Sequence, residues 1–435
     1  MKEGFQKRTT PPSEKESAPD AREKILTHHA EYAITAFEKY AKENNLNLES
    51  VETVKHLFET LTEQGIRNSA VFEAKEVGAS FPWTVVRVGD VARELQRASG
   101  KILAVERLPQ EAEPNNADKK AKKEFVFGTF LNPQNGNQFC FFEEVMHQVV
   151  ARLPRALEAL SEGREPESDE LYVLGSPSNE YGSVSKEFVE AMRGDHAFEQ
   201  FGKAYAVFVD SVLSADKENI KTDVLFSGLS MGGSLAAETA AQVLKDGTAT
   251  QSQDERGSKP FLNVRLDVPT GPSDLSTSRK RWQLPAGFAI DGLYNLLTNP
   301  YARTATFREK PFMDKVDTRM AEQGIPKNMD KEQETLKKEA ISEIIGNLRD
   351  GVPLPPEVRS TEVVGMYDPT MFSTSALERA KTQREEHKGS LGAGLVSDTP
   401  EHRKFSIAMG HTVPFFRENE MRRIAKTANA IENVQ

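Results

Sequence analysis

The stretch "TDVLFSGLSMGGSLAAETA" (residues 222–240) changes character partway along. Val224, Leu225 and Phe226 form a short apolar run of strand type, whereas from Ser234 onward Ala, Leu, Glu and Gln favour helix. Between the two lie Gly228-Leu229-Ser230-Met231-Gly232, with Gly233 beyond. A very tight strand-to-helix turn projects such a serine hydroxyl outward. Glycines on either side remove the Cβ atoms that would collide where strand and helix cross. The helix N-terminus behind Ser230 offers free N–H groups and the positive end of a dipole to an anion formed there.

Upstream of this junction, residues 1–24 are charged and poor in apolar side chains, and read as disordered. Apolar residues recur at helical spacing through 25–78, which reads as an N-terminal helical extension. Strand candidates follow at 83–89, 101–108, 124–131 and 170–177, with a helix expected over 139–160. Phe198, Phe201, Tyr205, Phe208 and Val212 then form the stripe of an amphipathic helix leading into the quoted strand.

Downstream, 261–269 is a further strand, and 270–351 holds helical pieces without a convincing strand. Strands resume with "STEVVGMYD" (360–368) and "KFSIAMGH" (404–411), separated by a charged helix and a glycine-containing loop, and a last helix starts near 416. Strands alternating with helices predict an α/β fold with a mainly parallel sheet and helices on both faces. The expected organisation is a core over 79–269 and 352–435, interrupted by a helical insertion at 270–351.

Composition limits the function classes. The 435 residues are 37% hydrophobic and 28% charged, and the formal net charge of −10 gives no bulk attraction to nucleic acid or anionic lipid. Cys140 is the single cysteine, so neither an intrachain disulfide nor a Cys-based metal site can be built. The first residues have no apolar signal region, and no apolar run reaches the roughly 18–20 residues that span a bilayer. A cytoplasmic protein without a membrane span is expected.

Asp368 closes one late strand and His411 closes another, so both lie after Ser230, in the order serine, acid, histidine. With the elbow Gly228–Gly232, these residues make the chain resemble the α/β-hydrolase superfamily over about 83–269 and 352–435. The resemblance implies a triad in which Ser230 attacks, His411 moves its proton and Asp368 orients the imidazole. It also implies that 270–351 is a cap over the site. The N–H of Met231 would be one oxyanion donor, each such donor being worth on the order of 3 kcal/mol of barrier. The second comes in that family from the loop after the third strand, often from a His-Gly dipeptide. Here that place holds Gly128-Thr129-Phe130-Leu131, and Phe130 is the expected donor.

The implied activity is hydrolysis of an ester or related acyl bond through an acyl-serine, with no cofactor and no metal. Cap aromatics (Phe288, Tyr294, Tyr301, Phe307, Phe312) suggest a small-molecule substrate with an apolar acyl or alkyl group. Amide hydrolysis, acyl transfer and a catalytically silent binding module are the alternatives. The "GSLGAG" run (389–394) has no strand leading into it and no Lys-Ser/Thr after it, so it reads as a loop rather than a phosphate cradle.

Overall fold

The computed structural model describes residues 49–99, 124–129, 148–149, 152–153, 155–160, 162–166, 169–194, 196–215, 223–229, 231–245, 262–267, 317–346, 358–365, 394–398 and 402–407. The expected disordered segment 1–24, the strand at 101–108, the helix after Pro369 and the last helix lie outside them. So does 270–316 of the expected cap.

Helix α1 (Glu49–Arg67) is followed by β1 (Ala70–Ala74), β2 (Ala79–Arg87), α2 (Val88–Ser99) and β3 (Glu124–Thr129). Then come β4 (Glu170–Leu174), β5 (Ser183–Val184), α3 (Lys186–Ala191) and α4 (Ala197–Ala215). Strand β6 (Asp223–Leu229), α5 (Met231–Lys245) and β7 (Leu262–Asp267) form the middle. The chain continues through α6 (Lys331–Gly346), β8 (Arg359–Gly365), β9 (Gly394–Asp398) and β10 (His402–Ile407).

Among the described residues these strands make one sheet in the order β1-β2-β4-β3-β6-β7-β8-β10-β9, with β5 on β2. Every pairing from β4 to β10 along that order is parallel. The margins differ from the sequence expectation: β1, β2 and β5 at one end and β9 at the other pair antiparallel. The sheet is thus mixed, with a parallel centre.

Alternating side chains divide the core in two. On one face Phe81, Phe125, Phe127, Tyr172 and Phe226 are buried against α4 and α5, whose Phe201, Tyr205, Phe208 and Leu235 complete the cluster. Phe208 sits at its centre, with ring centroids 5.1 Å from Phe72 and Trp83 and 5.6 Å from Tyr172. Val86, Val126, Leu171 and Val173 are buried on the other face, where α1 and α2 pack against β2. Each such aromatic or aliphatic side chain contributes about 1.5–3 kcal/mol by leaving water.

Two sequence expectations are corrected. Residues 70–74, inside the expected helical extension, are strand β1. Phe72 pairs with Phe81 across the hairpin and its ring meets Phe208, a burial that helix at this position would forfeit. Within the glycine-containing loop, 394–398 is strand β9, made extended by pairing with β10.

Candidate active site at the carboxyl rim of the sheet

Strand β6 lies between β3 and β7, with Gly228 level with Thr129 on one side and Leu266 on the other. Leu229 ends the strand and Met231 opens α5, with one residue between them in the chain. The crossing is very close. A Cβ built on Gly228 would fall on the carbonyl of Gly232 and within 2.6 Å of the Gly233 nitrogen. Only glycine fits at 228, because the obstacle is backbone and cannot swing away. Met231, Gly232, Gly233 and Ser234 are all buried.

Helix packing backs the elbow. Helix α4 lies against α5 where Gly202 meets Glu238, and a Cβ on Gly202 would come within 2.7 Å of the Glu238 Cγ and 3.2 Å of its backbone carbon. On the opposite face of β6, Gln148 Nε2 donates to Ser227 Oγ at 3.5 Å, a long bond. Arg152 Nη1 in turn donates to Gln148 Oε1 at 2.6 Å.

Because β3, β6, β8 and β10 run parallel, their carboxyl ends open on one rim, where ligand sites of parallel sheets form. Each sequence candidate follows one of those ends: Phe130 after β3, Ser230 after β6, Asp368 after β8 and His411 after β10. These four residues lie outside the described ones, and Met231 is the candidate within them. It is 2% exposed, at the first position of α5.

The same rim carries a polar assembly that the sequence did not disclose. Residues 175–182 leave β4 beside the end of β3, Leu174 pairing with Thr129. Asp317, Lys327, Asn328 and Lys337, the last on α6, bond to that loop. Tyr181 Oη donates to Asp317 at 2.7 Å; burial, followed by the Asp317 carboxylate, pushes the phenol upward. Lys327 donates to Asp317 at 2.7 Å and also to Glu180. Burial opposes its charge, yet these two carboxylates hold its ammonium above the ordinary range.

Lys337 is 8% exposed, on the buried side of α6 with Leu336, Ala340 and Ile344. Its Nζ donates to the carbonyls of Asn179 (2.9 Å) and Asn328 (2.8 Å). Burial pushes this ammonium down to about 8, with Asp330 and Glu180 opposing the shift. Among the described residues no group of His, Cys, Asp and Glu is arranged to hold a metal, and no helix is long and apolar enough to cross a membrane.

No protein-family model matches the chain, and no curated protein sequence matches it. Solved structures with a similar arrangement include a putative aryl esterase from Burkholderia cenocepacia, 10% identical over 84% of this chain and 98% of that one, TM-score 0.36. An alpha/beta hydrolase fold protein from Chitinophaga pinensis is 12% identical over 84% and 98%, TM-score 0.33. The RedJ thioesterase from the prodiginine biosynthetic pathway in Streptomyces coelicolor is 14% identical over 75% and 91%, TM-score 0.32. The fold itself is defined by the sheet rather than by these distant likenesses. With its parallel centre, its strand order and the close crossing of Gly228 beneath Gly232, the sheet has an arrangement of α/β-hydrolase type.

Proposed function

We propose that the protein is a serine hydrolase that cleaves an ester or related acyl bond through an acyl-enzyme, with Ser230, His411 and Asp368 as its triad. The observation that carries this reading is the elbow. Gly228 is tolerated beneath Gly232 and Gly233 only because it lacks a Cβ, and that close crossing is what a nucleophile turn requires. The parallel strands preceding Asp368 and His411 open on the same rim as β6, which supports the assignment of all three roles.

In the first step the Ser230 oxygen bonds to the substrate carbonyl carbon while His411 takes the hydroxyl proton. Collapse of the tetrahedral intermediate breaks the carbonyl–alkoxy bond, and His411 passes that proton to the departing alcohol. Water then attacks the acyl-serine, with His411 taking its proton and returning it to Ser230, and the carboxylic acid leaves. Asp368 holds the imidazole in the required tautomer. The oxyanion is received by the N–H groups of Met231 and Phe130, the former helped by the N-terminal end of α5. The chemistry draws on no metal or organic cofactor. The substrate is a small molecule with an apolar acyl or alkyl group.

The test is a fluorophosphonate probe together with chromogenic esters of varied acyl length. Wild type is expected to label at Ser230 and to turn over at least one ester, and Ser230→Ala to do neither. A folded wild type that resists the probe and hydrolyses nothing would identify a binding module instead.

A further inference from the structure

The rim loop 175–182 is held from two sides. The sheet secures its ends: Gly175 N–H donates to the Pro82 carbonyl at 2.8 Å, Tyr205 Oη donates to the Gly175 carbonyl at 3.1 Å, and β5 pairs with β2 just beyond. The middle is secured by the arm 317–346. Asn328 N–H donates to the Glu180 carbonyl at 2.7 Å and Asn328 Nδ2 to that of Gly182 at 3.3 Å. Tyr181 is tied to Asp317, and Lys337 to the carbonyl of Asn179.

Lys337 is the unexpected member. It occupies a position on the inner side of α6 where an apolar residue would bury more surface at no electrostatic cost. Its ammonium bridges carbonyls from two separate segments, Asn179 in the rim loop and Asn328 in the arm. Such charge-assisted bonds fix relative position more than they add stability. The Asn179 carbonyl also accepts from Gly182 N–H, so Lys337 acts on the bond that closes the turn.

We propose that Lys337 is a specificity-positioning residue, which by aligning the Asn179 and Asn328 carbonyls holds loop 175–182 as the wall against which the acyl or alkyl group of the substrate rests. The loop is suited to that place because it leaves β4 next to the end of β3, the strand that leads to Phe130. The inference rests on the serine-hydrolase reading of the rim. It goes beyond that reading by naming a residue outside the triad that governs the length of chain accepted.

The experiment compares the full chain with Lys337→Met, which keeps the length of the stem and removes the donors. Its readouts are kcat and KM on short-chain and long-chain esters, and labelling of Ser230 by a small fluorophosphonate. The expected result is a rise of about tenfold in KM for the long-chain ester, with kcat and probe labelling nearly unchanged. Lys337→Arg, which keeps cationic donors, should recover most of the loss.

An unchanged long-chain KM, or one raised equally for short and long chains, would overturn the assignment of Lys337 while leaving the triad intact. Absence of labelling in wild type would instead remove the hydrolase reading, and the proposal with it. Should Lys337→Met fail to fold, Asn328→Ala keeps the lysine and removes the side-chain bond to Gly182. It should show the same chain-length dependence at smaller size, and no dependence would count against the wall.

Discussion

Gly228 and Gly232 lie so close at the end of β6 that the carbonyl of the second occupies the space a side chain on the first would need. Strand and helix can therefore cross with one residue between them. Gly228→Ala would have to push backbone against backbone, an overpacking without a soft partner. We expect it to lower stability by at least about 2 kcal/mol in denaturant titrations and to abolish probe labelling at 230. An alanine variant with wild-type stability and labelling would mean that the elbow is not held by this contact.

Gly202→Ala tests the next layer of support. The obstacle is partly the flexible side chain of Glu238, so the penalty should be smaller, about 1–2 kcal/mol. Labelling of Ser230 in the folded variant should change little, because α5 can shift slightly without altering the turn. Thermal melts beside probe kinetics would separate the two effects.

Phe208 touches the rings of Phe72, Phe81, Trp83, Phe127 and Tyr172, which come from β1, β2, β3 and β4. Phe208→Ala is expected to cost about 3–5 kcal/mol, as large-to-small changes in cores do. A loss under about 1 kcal/mol would show that the surrounding rings collapse into the space.

Lys337 makes stability depend on alkaline pH. Burial brings its ammonium to about 8, against 10.5 for the free group. Between those values the unfolded chain keeps a proton that the folded protein has released, so the unfolded state binds more protons and stability climbs with pH. Tyr181 and Tyr205, both pushed up by burial, reverse the slope above their ordinary value of 10.0, since the folded protein then keeps protons the unfolded chain loses. Denaturant midpoints from about pH 7 to about pH 9.5 should rise in wild type relative to Lys337→Met. Parallel curves for the two proteins would exclude Lys337 as the source.

The sequence was most legible where one element meets one core face. The stripe from Phe198 to Val212 lies in α4, where periodicity records which side is buried, and the apolar run Val224, Leu225 and Phe226 lies in β6. Strand β1 was hidden because AVFEA is extended only through its partner: Phe72 needs Phe81 across the hairpin. Strand β9 was hidden in the same way by its dependence on β10. At the site, chain order suggested Ser230, Asp368 and His411, and the structure contributes the common rim of the strands that precede them. Nothing in "ETLKKEA" distinguishes Lys337 from Lys338, yet one is buried and the other pairs with Glu334 in solvent. That choice is made by docking of the arm.

One bond pair of that arm bears on the edge of the sheet. Gln333 presents its carboxamide to Val184 as a neighbouring backbone would, accepting from its N–H and donating to its carbonyl, both at 3.1 Å. The two-residue strand β5 thus ends on a side chain instead of an open ladder. Another molecule's strand could be grafted on at Val184 only by evicting Gln333, so this short stretch of β5 is closed to further pairing.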